Sequence, residues 1–548
     1  MPQATTRTSS YDVVIIGAGF AGLYMLHKLR AKGMTVRVFE AADGVGGTWF
    51  WNRYPGARVD IESHEYSYGF DEQLELEWEW SERYASQPEL LRYANHVADR
   101  FDLRRDIQFN TKVTNAHFDE SAKRWTVTTD RGDRISAQFC VMATGCLSMP
   151  KDVDLPGADT FKGKTYRTSR WPHDGVDFTG QHVAIIGTGS SAIQSIPHIA
   201  KQAAHLTVFQ RTPNFSLPAH NGPVDVNVIT NWKGNRQANR KQHRQQGFAA
   251  IMIEDSVITA LSVSDEDRRK RFEECWRIGG FSLLGAYEDI IKNKAANDTA
   301  AEFVREKIRS QIKDPRVAEK LLPRNHPIAT KRPCVDIDYF QTYNRDNVTL
   351  VDLNETPIET ITASGVKTTA QQYDVDSLVL AIGFDAMTGA LNAIDVRGRG
   401  GICLKEKWTG GPRTYLGLTV AGFPNLFLVT GPGSPSVLSN MVVAIEQHVE
   451  WIADCISYLR DRQVAAIEAS EDAENQWVQH VNDVGDSTLY PLANSWYVGA
   501  NVPGKPRVFM PYIGGFGVYR EKCEDVAAKG YEGFALDPHP RRDQRVAT

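Results

Sequence analysis

The sequence predicts an α/β fold in which two Rossmann-like dinucleotide-binding domains carry a helical insertion. A glycine fingerprint occurs twice, as GAGFAG with Gly17, Gly19 and Gly22, and as GTGSSA with Gly187, Thr188, Gly189, Ser190 and Ser191. Each copy follows an apolar run, YDVVII or HVAII, and leads into residues that can continue as a helix. That strand–turn–helix order sets a pyrophosphate against close backbone at a helix N-terminus. From about residue 220 to 330 the strand pattern stops and charged helical sequence replaces it.

Taken in order, the first ten residues, MPQATTRTSS, are polar and expected to lie outside the ordered fold. From Tyr11 the pattern gives a strand at the first fingerprint and a second strand, TVRVFE, ending at Glu40. A strand pair, AHF and RWTVTT, follows, then a buried strand in ISAQFCVMATG that ends the unit near Pro150. SLVLAIGFD, at 377–385, repeats that strand end. The two ends bracket the second fingerprint, so the simplest topology inserts one nucleotide domain, 151–384, into another made of 1–150 and 385–548.

The two copies differ at one register. Glu40 is placed to accept hydrogen bonds from a ribose 2′-hydroxyl, so the first domain is expected to hold the ADP part of FAD. The same offset from Gly187, along LTVFQRT, reaches Gln210 followed by Arg211. A guanidinium there pairs with a 2′-phosphate, so the second domain is expected to hold NADP(H).

Within the insertion, at about 220–330, Thr299 and Glu302 form a capping-box pattern, and Ala300, Phe303, Val304, Ile308 and Ile312 keep one helical face apolar. Asp314–Pro315 closes that helix and can open the next. The insertion is expected to shape or cover the active site, with a purely structural cap as the equal alternative.

A hydrophobic content of 42% with 24% charged residues is that of a folded soluble protein, and a net charge of −5 points away from nucleic acid and anionic membranes. The seven cysteines are scattered and form no CxxC, which suits a reducing compartment and argues against a flavin dithiol reductase. No run of 18 uncharged apolar residues exists, and the apolar stretch Val13 to Leu26 carries its glycines at fingerprint spacing. A cytoplasmic location is expected, with no membrane span, metal or obligatory protein partner. FAD and NADPH without a dithiol imply hydride transfer to the flavin, and then electrons to a further acceptor.

Two strings narrow that acceptor: FKGKTYRTSRWPHD from Phe161 and GGTWFWNRYPGARVD from Gly46. With them the chain resembles the type I Baeyer-Villiger monooxygenases, most of all the phenylacetone and steroid monooxygenase branch, from Tyr11 to about Phe534. The family pattern FxGxxxHxxxWP is matched at Phe161, Gly163, Trp171 and Pro172, with Arg167 in place of the histidine. The pattern GxWxxxx[FY]P[GM]xxxD is matched in full by Gly47, Trp49, Tyr54, Pro55, Gly56 and Asp60. The resemblance implies insertion of one oxygen atom from dioxygen beside the carbonyl of a hydrophobic ketone, through a flavin peroxide and at the expense of NADPH. The product is an ester or lactone. The alternatives are a flavin monooxygenase oxidising nitrogen or sulfur, and an electron-transfer flavoprotein. Arg167 keeps a donor and a permanent charge but does not titrate near neutrality, which bears on cofactor coupling and not on the reaction class.

By the same resemblance Arg332, in ATKRP, stands over the flavin as the catalytic cation and Asp60 orients it. A fixed guanidinium answers a physical need, since the attacking species and the adduct it forms are both anions. Gly17, Gly19, Gly22, Glu40, Gly47, Thr48, Trp49, Asp60, Tyr66, Val113 and Met441 are expected at FAD. Arg58, Gly187 to Ser191, Gln194, Arg211, Thr212, Lys331, Arg332 and Trp496 are expected at NADP, with the Trp496 string closing over the nicotinamide. The resemblance further implies that Ser436, Val437 and Leu438, in GPGSPSVLSNM, form a bulge facing Cys146 and Leu147 across the substrate pocket.

Overall fold

The computed structural model describes residues 9–246 and 249–538. The run YDVVII forms the middle of an eight-stranded sheet: Ser9–Ile16 pairs in parallel with Val36–Phe39 on one side and Arg134–Met142 on the other. Val13 to Ile16 are buried, as a strand covered on both faces requires. The strand begins at Ser9, opposite Ile135, so Ser9 and Ser10 belong to the fold, contrary to expectation. Their backbones extend the ladder along the nine-residue neighbour, which composition does not reveal. Residues 1–8 lie outside the described residues.

A second sheet is parallel throughout, in the order Val348–Asp352, His205–Gln210, His182–Ile186, Ser377–Leu380, Lys164–Arg167. Its strands come from 164–380, whereas those of the first sheet come from 9–142 and 395–428. The chain crosses between the sheets twice, and the two crossings run antiparallel in contact. Pro150 bridges Phe384, the Asp385 amide donates to Met149 O at 2.9 Å, and the Met387 amide donates to Cys146 O at 2.8 Å.

The two fingerprints share one packing device. A Cβ on Gly17 would lie 2.5 Å from Ala143 O, and one on Gly187 would lie 2.4 Å from Ala381 O. Both glycines have positive φ, 105° and 115°. Each turn therefore crosses over the end of its return strand, FCVMATG or SLVLAIG, at a distance only glycine allows.

Among the described residues the insertion supplies five α-helices, Val226–Gly234, Arg236–Gln245, Asp265–Ile278, Lys294–Gln311 and Pro315–Leu321. Ala300, Phe303, Val304, Ile308 and Ile312 are buried, as their spacing predicts. The capping box does not form. The helix starts at Lys294, where the Asn293 side chain accepts from the Ala295 and Ala296 amides, and Thr299 lies inside it, donating to Ala296 O. Glu302 instead pairs with Arg305 and Arg309. Asp314 caps Pro315–Leu321 through the Arg316 amide at 2.8 Å. Among the described residues no helix is long and apolar enough to cross a membrane.

Candidate active site

The short strand Cys334–Asp336 pairs with Ser216–Pro218, and the Cys334 amide donates to Phe215 O at 3.0 Å. This anchors the backbone just past Arg332–Pro333. The Arg332 guanidinium meets Asp60 as a fork, Nε to Oδ2 at 2.6 Å and Nη2 to Oδ1 at 2.9 Å, while Nη1 donates to Val437 O at 2.7 Å. Its far face lies over the Phe281 ring at 5.0 Å. Burial works against the charge, but Asp60 and the Tyr497 phenol more than offset it and hold Arg332 well above its ordinary pKa. Burial pushes the Tyr497 hydroxyl up to about 12 although Arg332 draws it down, so it stays protonated at neutral pH.

Beside the guanidinium is a cavity of about 50 Å³. Ile61, Ile251, Ile253, Phe281, Leu284 and Ile513 supply apolar walls, Tyr490 and Tyr497 supply ring faces, and among the described residues Arg332 is the one charged residue lining it. Of the predicted pocket residues, Leu438 lines this cavity. Cys146, Leu147 and Val437 lie in the adjoining apolar cluster with Met441 and Trp496. Burial pushes the Cys146 thiol up to about 11, so it is neutral. Ser436 is buried within its own loop, its hydroxyl donating to Thr430 O at 3.2 Å. Sequence reasoning missed Phe281, Leu284, Tyr490 and Tyr497. Only Tyr497 carried a signal, as the neighbour of Trp496.

At the first fingerprint, helix Phe20–Ala31 has Gly19 at its N-cap and no side-chain cap, so its first amides remain available. Gly19 and Gly47 face each other so closely that a Cβ on Gly47 would lie 2.9 Å from Gly19 Cα. The buried Glu40 carboxylate accepts from the Ala18 and Ala42 amides at 2.7 and 2.8 Å, which leaves lone pairs on both oxygens for a ribose diol. Thr48 is exposed beside Gly47, and the buried Trp49 indole donates to the Tyr66 hydroxyl at 3.3 Å. Val113 is buried at the head of strand Val113–Asp119, and Met441 opens helix Met441–Asp461. The cradle and donor set fit a dinucleotide.

At the second fingerprint, helix Ser190–Gln202 also lacks a side-chain cap, and a Cβ on its N-cap Gly189 would meet nothing within 4 Å. Thr188 donates to Thr212 O at 2.8 Å, Ser190 lies 3.3 Å from the Cys334 sulfur, and Ser191 donates to the Thr168 hydroxyl at 3.0 Å. Gln210 is buried and turned away, its amide donating to Lys320 O. Arg211 is exposed, and burial together with its charge lowers the pKa of Lys331 and of Lys151. These cations crowd together, a donor set that fits a phosphate.

Comparison with known proteins accords with this geometry. Residues 14–254 match the pyridine nucleotide-disulphide oxidoreductase family model. A Baeyer-Villiger monooxygenase of Pseudooceanicola batsensis is 42% identical over 97% of both chains. A phenazine N-monooxygenase of Lysobacter antibioticus is also 42% identical, over 97% of this chain and 98% of its own. The solved structure of an oxidised steroid monooxygenase bound to NADP is 54% identical, covering 96% of this chain and all of that one with a TM-score of 0.93. The chain belongs to the Baeyer-Villiger monooxygenases. It is an oxidoreductase that uses FAD and NADP(H) and incorporates one oxygen atom.

The monooxygenase's two signature strings have packing reasons. A Cβ on Gly56, where φ is 81°, would lie 2.3 Å from Gln194 O, so this glycine lets the first string approach helix Ser190–Gln202. The Tyr54 hydroxyl donates to Gln194 Oε1 at 2.8 Å, and Gln194 Nε2 donates to Arg58 O at 3.1 Å. The Arg58 side chain is held by Glu82 at 2.6 Å. In the second string, a Cβ on Gly163 would lie 2.4 Å from Asp376 O, and Trp171 packs against Tyr166 and Phe178. Arg167 ends strand Lys164–Arg167, and its guanidinium has no partner among the described residues. Trp496 lies 4.2 Å from the Tyr497 ring. Its loop is tied to the second crossing, Asn501 donating to Phe384 O at 2.8 Å and Lys505 pairing with Asp385 at 2.6 Å.

Proposed function

We propose that this monooxygenase converts a hydrophobic ketone to an ester or lactone, with FAD held by 1–150 and 385–548 and NADP(H) by 151–384. One observation carries the reading: a guanidinium fixed by Asp60 is the only charge that the described residues place on an apolar cavity. Bound FAD, once reduced by NADPH, supplies the activated oxygen. Arg332 presents a permanent positive charge and N–H donors where negative charge develops on the ketone oxygen, and its position costs no reorganisation during the reaction. Asp60 holds the fork in plane, and Val437 O fixes its third direction. The neutral Tyr497 hydroxyl sits beside Arg332 as a further donor, and the apolar walls exclude water.

On this reading Arg211, Thr212, Lys331 and Lys151 receive the 2′-phosphate. The same reading includes a cytoplasmic location, which seven buried, unpaired cysteines suit. The test is a panel of cyclic and aryl ketones scored by ketone-dependent NADPH consumption, with product mass giving one added oxygen. Consumption that yields only hydrogen peroxide with every ketone overturns the reading. The phenazine N-monooxygenase relative favours a second reading, nitrogen oxidation. Competition between a ketone and a nitrogen heteroaromatic, scored by product, decides between them.

A further inference from the structure

The wall Ala249–Ile253 presents Ala249, Ile251 and Ile253 to the cavity and belongs to no helix or strand. Such a segment keeps its place through its backbone bonds. The Gln246 side chain makes two of them, accepting from the Ile251 amide and donating to Ile253 O, and so shapes the loop locally. Among the described residues, two bonds reach the body of the molecule. The Asn440 amide donates to Ala249 O at 2.8 Å, and the Met252 amide donates to Glu65 Oε2 at 2.8 Å.

Glu65 is a buried carboxylate one residue before Tyr66, and its main-chain oxygen accepts from Asn440 Nδ2 at 2.9 Å. The oxygen that receives Met252 lies 2.9 Å from His243 Nε2, on helix Arg236–Gln245 of the insertion. His243 is fully buried against Trp232. Burial pushes the Glu65 carboxyl up, but the His243 and His64 imidazoles and the Met252 amide more than offset this and hold it below its ordinary range. Helix Arg236–Gln245 is itself fixed by Arg240, which donates to Glu75 and the Ser67 hydroxyl. The wall, the insertion helix and the segment leading to Tyr66 therefore meet at one carboxylate.

We infer that Glu65 and His243 are positioning residues that set the ketone size range by fixing the wall Ala249–Ile253 across the cavity from Arg332. This rests on the cavity being the ketone site. Neither residue touches the cavity, so their effect is on substrate fit and not on cofactor chemistry.

The experiment compares His243→Phe, which fills the volume but removes the donor, with His243→Gln, which restores one. For each holoenzyme, KM and kcat are measured with cyclopentanone and with a bicyclic ketone, alongside the anaerobic rate of flavin reduction by NADPH. His243→Phe is expected to change the ratio of kcat/KM between the two ketones about tenfold or more, mainly through KM, with flavin reduction within about twofold of the parent. His243→Gln is expected to return the ratio to within about threefold. An unchanged ratio in a His243→Phe enzyme that retains FAD overturns the inference, as does a loss of flavin reduction equal to the loss of ketone turnover. If His243→Phe does not retain FAD, Glu65→Met, which keeps much of the volume but removes the acceptor of the Met252 amide, carries the same measurement and the same criteria. Ester formation by the parent enzyme separately tests the ketone reading.

Discussion

Replacing Arg332 with alanine removes three hydrogen bonds at once, two to Asp60 and one to Val437 O, and takes away the charge on the cavity wall. One preorganised donor aimed at developing negative charge is worth about 3–4 kcal/mol, or roughly 10²–10³ in kcat. The fork supplies more than one, so ester formation in Arg332→Ala is expected to fall by at least about 10³. Asp60 remains partly exposed, with about a quarter of its side chain open to water, so the lost partner is expected to cost folding only about 1–3 kcal/mol. Anaerobic rapid mixing with NADPH should still reduce the flavin, since hydride transfer does not require the guanidinium to stabilise an oxyanion. Arg332→Lys keeps a charge but loses the planar fork, and an intermediate rate is expected. Ester formation by Arg332→Ala within about tenfold of the parent, measured by product mass, refutes the assigned role.

Arg211→Ala combined with Lys331→Ala removes two charged partners worth about 1.5–3 kcal/mol each, so KM for NADPH should rise by at least about a hundredfold while KM for NADH changes little in steady-state assays. Gly56→Ala places a Cβ 2.3 Å from Gln194 O at positive φ and is expected to cost about 1–3 kcal/mol, read as a lower melting temperature with a raised KM for NADPH. His448 and His326 have pKa values lowered to about 3, both first by burial and His326 also by Lys331 and Arg305. Below about pH 6.5 the unfolded chain takes up protons that these imidazoles refuse, so stability is full above that pH and lost as it falls, by about 2 kcal/mol per histidine at pH 5. Denaturant unfolding between pH 5 and 8 measures this, and a flat profile contradicts the assigned burial.

The glycine turns were legible because strand, turn and helix lie within one short stretch, and the contrast of Glu40 with Arg211 is local to the same motif. Even there the side chain of Gln210 was unreadable, since its partner, Lys320 O, lies in the insertion. Arg332 stood out through resemblance alone, because the carboxylate that fixes it is 272 residues away. Phe281, Leu284 and Tyr490 reach the cavity from loops and 3-10 turns without periodicity, so no spacing rule marks them. The Thr299 start was misread because Asn293, an equally good cap, precedes it and takes the orphan amides first.

The paired crossings at 146–151 and 383–387 join the two sheets and are hydrogen-bonded to each other, an arrangement expected to flex as a leaf spring. Two hydrogen-bonded strands side by side bend across their flat face and resist shear within it, which favours a swing about one axis. Cys146, Leu147 and Met387 lie within these crossings, and all three belong to the apolar cluster beside the cavity. Reshaping the pocket at these positions for bulkier ketones is therefore expected to alter the rate of NADP⁺ release as well, and variants made there need release kinetics measured beside their selectivity.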